Sequence, residues 1–395
     1  MLSVDKARAR ILARLAPISA ETVALPDGLG RVLAAPVVAR LTQPPFDMSA
    51  MDGYAVRAGE GAGTVIGTAP AGCPFNGYLG PGEAVRLFTG SVLPDGADAV
   101  VAQEDVRRAG SEITISAVVR PGQHIRRRGQ DFTVGAVLIP TGTRLGARGI
   151  GLAAAANCPW LTVYRRPRIA ILATGDEISL PGDPLGPGGI VSSNAHALAA
   201  VVREGGGEPL VLPIARDDRA AITRSLQSLG ADMLVTTGGA SVGDYDLVQE
   251  TLKSSGFVLD FWQVAMRPGK PLLFGMLGAT PVLGMPGNPV SAFVCSLLFL
   301  LPALSRLRGG PSLMPVTARA RLGTAVREND HRADHLRATV EDGQGLPIVT
   351  PFDRQDSSLL SILHEAQALV FRAPHAPALA VGEEVDMLRL DWGGY

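Results

Sequence analysis

Glycines and carboxylates follow apolar, strand-like runs at two points in the middle of the chain. The run "RIAILA" continues into "TGDE", and the run "DMLV" continues into "TTGGASVGDYD". The residues that these two loops bring to predicted strand ends are Gly175, Asp176, Glu177, Gly238, Gly239, Ser241 and Asp246. Open glycine backbone suits phosphate or another oxyanion, whereas carboxylates repel it unless a divalent cation lies between them. The pattern therefore predicts a metal-assisted oxyanion site.

Two later loops add positive charge and rigid turns. "MRPGKP" carries Arg267 and Lys270, and "LGMPGNPVS" places Pro286 and Pro289 before a predicted helix. Each feature alone is weak evidence, because a glycine pair after a strand is often only a turn and an aspartate after a glycine is often only a helix cap. Their occurrence at successive strand ends favours a site, since ligands of doubly wound sheets bind there. Without a Gly-x-Gly-x-x-Gly or Walker pattern, dinucleotide binding and ordinary nucleotide hydrolysis lose their main support.

Polar loops in the first third of the chain have two interpretations. Asp52 precedes Gly53 in "MSAMDGYAVR", Thr89 precedes Gly90 in "LFTGSVLP", and three consecutive arginines begin at Arg126 in "HIRRRGQD". As structural features, the glycine pairs are hairpin turns and the arginines are a solvated edge strand. As functional features, the arginines grip an anionic substrate. The residues alone leave both interpretations open.

The histidines give little support to other chemistry. His331 and His335 are four residues apart, a spacing that can chelate zinc on a helix, but their segment is strand-like and no glutamate follows the first histidine. No pairing of a cysteine with a histidine makes covalent catalysis the leading idea. We therefore expect positioning, metal and electrostatics to supply the rate enhancement.

Composition places the chain among globular, multi-domain proteins, since 46% of its 395 residues are hydrophobic. Lys and Arg total 36 and Asp and Glu total 37, so we expect neither nucleic acid nor a membrane as partner. Three widely spaced cysteines favour a reducing, cytoplasmic setting over a disulfide framework. The longest apolar run, Val290 to Leu301, predicts a buried helix.

Hydrophobic periodicity divides the chain into four predicted parts. Apolar residues at helical spacing after Ser3 predict an N-terminal helix, and an Ala-rich run ending at Ala156 predicts a second helix, with the first as one candidate neighbour. Short β-like runs fill the segment between them. Alternating strands and helices after Arg168 predict a helix-covered parallel sheet, and a small β domain follows. We assign the boundaries 1–40 with 135–166, 41–134, 167–312 and 313–395.

Seven motifs occur in the order found in one known family and extend over nearly the whole chain. They are "MSAMDGYAVR", "FTGSVLPDGADAVV", "IRRRGQD", "TGDE", "TTGGASVGDYD", "MRPGKP" and "LGMPGNPVS". By these motifs the chain resembles the molybdopterin molybdenumtransferases, which are similar to the gephyrin E domain. The resemblance implies a multi-domain α/β plus β fold: a molybdopterin-binding-type three-layer α/β domain with a parallel-rich sheet, an inserted β domain, a helical N-terminal domain and a C-terminal β-barrel-like domain.

The resemblance also implies an activity. The family inserts molybdate into adenylylated molybdopterin and hydrolyses the adenylate with Mg²⁺, releasing AMP and molybdenum cofactor. It implies a homodimer whose active site lies between the α/β domain of one subunit and the inserted domain of the other. The further partners that it implies are a molybdopterin adenylyltransferase and molybdoenzyme acceptors.

Site residues follow from the resemblance motif by motif. The implied catalytic residues are Asp52, Thr89, Asp131, Glu177 and Asp246. The implied Mg²⁺ ligands are Asp176, Glu177, Asp217 and Asp246, with Asp218 as an alternative to Asp217. The implied substrate contacts are Gly175, Gly238, Gly239, Ser241, Arg267, Lys270, Pro286 and Pro289. Two positions depart from the pattern, because the family often has Glu where Gln130 stands and Lys where Arg267 stands.

Other functions stay open at this point. A molybdopterin adenylyltransferase is similar to the α/β part alone, and the additional domains argue against it. A binding scaffold similar to the gephyrin E domain would not need the acidic residues. A paralogue that handles tungsten is compatible with the same motifs.

Overall fold

The computed structural model describes residues 1–216, 218–227, 230–238, 247–311 and 316–390. These residues form helices α1 Val4–Ala13, α2 Ala147–Ala155, α3 Asn194–Glu204, α4 Arg219–Gln227, α5 Leu247–Ser254, α6 Pro289–Cys295, α7 Leu301–Leu307 and α8 Leu360–Glu365. A π-helical turn, Ser296–Leu300, joins α6 to α7, and short 3₁₀ turns occur at Leu25–Gly28 and Gln103–Asp105.

The first 166 residues contain a mixed β sheet and three short strand pairs. Their strands are β1 Ala20–Ala24, β2 Val37–Val38, β3 Met48–Ser49, β4 Gly53–Val56, β5 Ala62–Ala69, β6 Glu83–Leu87, β7 Ala99–Ala102, β8 Val106–Ala109, β9 Glu112–Ile115, β10 Ile125–Arg126, β11 Val137–Ile139 and β12 Trp160–Tyr164. The sheet order is β7-β4-β6-β5-β9-β8, and the antiparallel pairs are β1 with β12, β2 with β11 and β3 with β10.

The middle of the chain forms a three-layer α/β unit. Its strands are β13 Arg168–Ala173, β14 Ile178–Ser179, β15 Ile190–Val191, β16 Glu208–Val211, β17 Met233–Thr237, β18 Phe257–Phe261, β19 Met266–Arg267, β20 Leu273–Leu277 and β21 Thr280–Met285. The main sheet has the order β16-β13-β17-β21-β20-β18, in which the first three pairings are parallel and the last two are antiparallel. Helices cover both faces, because alternate residues of β13 enter two separate cores. The parallel-rich, three-layer prediction is confirmed.

The C-terminal part is a closed five-stranded barrel. Its strands are β22 Ala318–Leu322, β23 Ala333–Glu341, β24 Ile348–Pro351, β25 Ala368–Arg372 and β26 Glu384–Arg389. The order β23-β24-β22-β26-β25 closes through pairing of β23 with β25, which removes the sheet edges. Strand β19 of the middle part adds to β23 in parallel, so the α/β unit and the barrel share hydrogen bonds.

The N-terminal helix forms where it is predicted but packs elsewhere. Ser3 Oγ accepts a hydrogen bond from the Lys6 amide at 3.3 Å, so Ser3 caps α1. Ala7 and Ile11 are fully buried in the same core as α7. Helix α2 packs instead against the turn at Gly28, where an added Cβ would lie 3.1 Å from Ile150 Cδ1. The proposed pairing of α1 with the Ala-rich helix is therefore wrong, because periodicity identifies an apolar face but not its partner.

The longest apolar helical segment is buried in the protein. Pro289–Leu307, made of α6, the π turn and α7, is long and apolar enough to cross a membrane by length and composition alone. However, 89% of its most apolar window is buried within the fold. The buried helix predicted over Val290 to Leu301 is confirmed.

Candidate active site

Three predicted site loops begin at the same edge of the main sheet. In the parallel register Ala173 of β13 lies opposite Thr237 of β17, and Thr237 lies opposite Met285 of β21. The loops that follow these strands begin at Thr174, Gly238 and Pro286. The register thus brings together the carboxyl ends at which ligands of doubly wound sheets bind.

The loop after β13 folds the Glu177 carboxylate over Gly175. Gly175 has φ +139°, and a Cβ added there would lie 2.5 and 2.7 Å from the two Glu177 carboxylate oxygens. The Gly175 amide donates to Ala215 O at 3.2 Å, which anchors the loop to the segment after β16. The absence of a side chain at Gly175 therefore leaves the space that the carboxylate fills. Asp176 is also exposed, and its carboxylate lies 3.9 Å from Arg216 Nη1.

The loop after β17 approaches the loop after β13 closely. Gly238 has φ +91°, and an added Cβ would lie 3.0 Å from Thr174 O. Gly239, Ser241, Asp246 and Asp217 lie outside the described residues, so their predicted roles stay predictions. Asp218 caps α4, since its carboxylate accepts from the amides of Ala220 at 3.3 Å and Ala221 at 3.0 Å.

The Pro-Gly-Asn-Pro turn is fixed from two sides. Asn194 Nδ2 at the start of α3 donates to Gly287 O at 2.7 Å, and Asn288 Nδ2 donates to Ser357 Oγ at 2.7 Å. Pro286 is buried and Pro289 is the first residue of α6. Asn194 and Ser357 were not identified from the sequence, since neither lies in one of the seven motifs.

Arg267 makes its strongest contact with the barrel. Its Nε donates to Asp334 Oδ1 at 2.8 Å and its Nη2 donates to Asp334 Oδ2, so the pair is bidentate. This hydrogen bonding raises the pKa of the Arg267 guanidinium. Arg267 stands where the family often has lysine, and its guanidinium is thus paired with a carboxylate of the same chain. Lys270 is exposed.

A second group of predicted residues lies in the inserted β domain. Asp52 Oδ1 accepts hydrogen bonds from the Thr89 amide at 2.7 Å and from Thr89 Oγ1 at 2.8 Å. The Thr89 amide, then the Thr89 hydroxyl, and the nearby Arg86 charge lower the pKa of Asp52, so its carboxylate is ionised at neutral pH. The structure brings Asp52 and Thr89 together.

The glycines beside these two residues have different structural roles. Gly90 has φ +85°, as expected for a turn. Gly53 is instead the first residue of β4, and an added Cβ would lie 1.8 Å from Val101 O of β7. The hairpin-turn interpretation of Asp52-Gly53 is therefore wrong, because close strand approach and not turn geometry requires glycine there.

The arginine run begins in β10 and continues into the loop that carries Asp131, close to the Asp52 segment. Strand β10 pairs with β3, and the amide of Asp131, which is exposed, donates to Gln43 O at 3.1 Å. All three arginines are exposed, and Arg127 Nη1 pairs with Asp47 at 2.6 Å. Arg127 is thus used locally, and its two neighbours face solvent.

Arg86 and Phe88 border Asp52 but were not predicted as site residues, although Phe88 is the first residue of one of the seven motifs. The Arg86 guanidinium lies 5.0 Å from the Tyr54 ring centroid and 5.1 Å from that of Phe88, which is 38% exposed. Arg86 lies in β6 and Phe88 directly follows that strand, so their i, i+2 spacing could have indicated a shared face.

Two exposed carboxylates, Asp176 and Glu177, follow β13 among the described residues. No group of three His, Cys, Asp or Glu side chains comes close enough to hold a metal in the part of the chain that the structure describes. His331 is exposed and His335 is buried in β23. Carboxylate oxygens of Asp176 and Glu177 beside an open glycine backbone are the hard ligands that Mg²⁺ prefers, so this donor set fits the ion.

Three family profiles match successive parts of the chain. The "MoeA N-terminal region (domain I and II)" matches residues 2–157, the "Probable molybdopterin binding domain" matches residues 170–306, and the "MoeA C-terminal region (domain IV)" matches residues 319–390. Fold and profiles together define a multi-domain protein built around a molybdopterin-binding-type α/β domain.

Similar proteins extend over most of the chain. A molybdopterin molybdenumtransferase from Nostoc sp. is 38% identical over 80% of this chain and 76% of its own length. One from Bacillus subtilis is 32% identical over 98% of this chain and 94% of its own length. The crystal structure of a molybdopterin biosynthesis moea protein from Pyrococcus horikosii superposes with a TM-score of 0.84 at 31% identity, covering 100% of both chains. The chain therefore belongs to the molybdopterin molybdenumtransferase family, whose members are transferases of molybdenum cofactor biosynthesis.

Proposed function

We propose that the protein inserts molybdate into adenylylated molybdopterin and hydrolyses the adenylate in a Mg²⁺-dependent step that releases AMP. The observation that carries the proposal is the alignment of three glycine- or proline-containing loops at one edge of the main sheet, with Glu177 folded over Gly175. Such an edge offers backbone amides to phosphate and carboxylates to a metal.

Asp176 and Glu177 would hold Mg²⁺, together with the predicted ligands Asp217 and Asp246. The bound ion would neutralise phosphate charge and polarise the phosphoryl group that is attacked. Arg216 lies 3.9 Å from Asp176 and adds positive charge beside that carboxylate. Gly175 would leave room for the Glu177 carboxylate beside the ion, and Lys270 would add a cation for the substrate phosphates.

Asp52 would orient water or metal and not act as a strong base. Its two hydrogen bonds from Thr89 fix the carboxylate, and its lowered pKa makes it a weak proton acceptor. Arg86 beside it would attract the anionic substrate, and the exposed Phe88 and Arg126 would extend that surface. Asp131 lies in the loop that pairs with the same segment.

Asp52 and Thr89 lie in the inserted β domain, whereas Glu177 lies at the edge of the main sheet. We propose a homodimer in which Asp52 and Thr89 of one subunit face Glu177 of the other. The symmetry of such a dimer would create two equivalent sites.

The state of the cysteines supports a reducing, cytoplasmic location. All three cysteines are free thiols, and Cys158 and Cys295 are buried. Burial raises the pKa of the Cys295 thiol, which makes it unreactive.

The alternatives have less support. An adenylyltransferase similar to the α/β part alone leaves the matched N-terminal and C-terminal regions without a role. A scaffold has no use for the hydrogen-bonded Asp52 or for Glu177 folded over a glycine.

The test measures AMP release and molybdenum incorporation from adenylylated molybdopterin, with and without Mg²⁺ and molybdate. We expect both products only when both ions are present, and we expect Glu177→Ala to lose about a hundredfold or more in rate. Glu208→Ala is the matched control, because Glu208 lies at the opposite end of the same sheet and pairs with Arg168. Substrate binding without AMP release by the unmodified protein would reject the proposal in favour of a scaffold.

A further inference from the structure

A cavity rich in arginine lies between the N-terminal part and the α/β unit. Its volume is about 180 Å³. The arginines that line it are Arg31, Arg144, Arg165, Arg166, Arg203 and Arg308. Glu204 is the one acidic residue among the described lining residues.

Arg308 is the buried centre of this cluster. Arg308 is only 7% exposed, and its Nη1 donates a hydrogen bond to Gly205 O at 2.6 Å. Its Nε is buried and has no hydrogen-bond partner among the described residues. Leaving a buried charged donor without a hydrogen bond costs folding free energy. The unpaired Arg308 Nε therefore favours a bound ligand that accepts its hydrogen bond.

The backbone beside Arg308 is shaped to admit the guanidinium. Gly206 has φ +77°, and a Cβ added there would lie 1.8 Å from Arg308 Nη1. Any other residue at this position would displace the arginine. The cavity is thus built by glycine as well as by the arginines.

Capping of helix α3 does not account for the cluster. Gly205 follows the last residue of α3, and one cation near a helix C-terminus is favourable. Arg31 pairs with Glu21 and Arg165 pairs with Asp232. Arg144, Arg166 and Arg203 form no ion pair with a carboxylate in the described part of the chain. A single cation at the end of α3 is enough to cap it, so the positive charges of Arg144, Arg166 and Arg203 remain without a negative partner within the described ranges.

The charges within the cluster oppose one another. Burial, followed by the charges of Arg144, Arg166 and Arg31, lowers the pKa of the Arg308 guanidinium to about 10. Arg308 is still protonated at pH 7, so the cluster stays positive. A bound anion would relieve this repulsion.

We propose that the cavity binds a small oxyanion of the phosphate class, with Arg308 Nε as its buried donor and with Arg144 and Arg166 closing over it. The planar guanidinium fork matches phosphate oxygens, and the cavity holds several times the roughly 30 Å³ that one water occupies. The site goes beyond the proposed function, because neither Asp52 nor Glu177 lines it.

The test is calorimetric titration of the full chain with inorganic phosphate at constant ionic strength set with chloride. A second titration with glycerol phosphate distinguishes a free phosphate from a phosphate ester. We expect at least one of the two to bind, and we expect Arg144→Ala with Arg166→Ala to weaken binding about tenfold or more. Both side chains are exposed, so their removal leaves the core intact.

Arg168→Ala is the matched control. Arg168 is an exposed arginine two residues from Arg166, pairs with Glu208 at 3.3 Å and does not line the cavity. We expect this variant to bind as the unmodified protein does. Failure of both ligands to bind at millimolar concentration, or equal binding by the double variant, would overturn the proposal.

Discussion

Asp52 and Glu112 are both exposed carboxylates of the inserted β domain that accept a hydrogen bond from a threonine hydroxyl. Thr64 Oγ1 donates to Glu112 at 2.9 Å, whereas Thr89 donates to Asp52 through both its amide and its hydroxyl. Of the two, only Asp52 also lies near the guanidinium of Arg86 and the exposed ring of Phe88. The surroundings, and not the residue type, distinguish the candidate site residue.

This difference predicts the effect of neutralising each carboxylate. Asp52→Asn keeps an oxygen for Thr89 but removes the charge, so we expect the rate of AMP release to fall about a hundredfold. Glu112→Gln, measured in parallel, should leave the rate unchanged. If Asp52→Asn releases AMP as fast as Glu112→Gln does, Asp52 has no part in the reaction.

His335 predicts a pH dependence of stability. Burial, opposed by a hydrogen bond with the Arg267 backbone and assisted by the Arg8 charge, lowers the pKa of His335 to about 4. Between pH 6.5 and 4 the unfolded chain therefore binds a proton that the folded chain does not, and the free energy of unfolding falls as the pH falls. The full loss is on the order of 3 kcal/mol.

Urea denaturation at pH 7 and pH 4.5 measures this loss. His335→Gln should lose less stability than the unmodified protein over the same interval, because the titrating group is gone. The same loss in both proteins would assign the effect to other groups.

At the scale of single elements, local pattern predicted more than packing did. Helix α3, Asn194–Glu204, lies in the segment predicted to alternate between strands and helices, since its apolar residues repeat at helical spacing and glycines end it. The partner of α1 and the role of Gly53 were predicted wrongly, because each depends on contacts between distant segments. The arginine cavity draws on several segments and has no local signature.

Gly175 shows how one loop element positions a site residue. Gly175→Ala adds a Cβ 2.5 Å from a Glu177 oxygen and strains a backbone at φ +139°. We expect a loss of about 1–3 kcal/mol in stability and about a hundredfold in AMP release, because Glu177 must move.

Gly182→Ala separates strain from displacement. Gly182 also has positive φ, +96°, but an added Cβ meets nothing within 4 Å. We expect this variant to lose stability and keep its activity in the AMP-release assay. Equal loss of activity in both variants would mean that backbone strain alone explains the Gly175 effect.

At the scale of the whole molecule, the site residues fall into two groups held by separate sheets. Asp52 and Thr89 belong to the inserted domain, and Gly175, Glu177 and Gly238 belong to the edge of the main sheet. The hydrogen-bonded junction of β19 with β23 and the Arg267–Asp334 pair connect the α/β unit to the barrel. The seven motifs predicted which residues form the groups, but one chain's sequence cannot supply the distance between them.

The central claim is that both groups form one active site across two copies of the chain. The most direct measurement is AMP release by a hybrid dimer of Asp52→Ala and Glu177→Ala chains, isolated with a different affinity tag on each chain. One of its two sites would contain both intact residues, so we predict about half the unmodified rate, whereas each variant alone is inactive. No activity in the isolated hybrid would contradict the account, because a site confined to one chain would be damaged in both subunits.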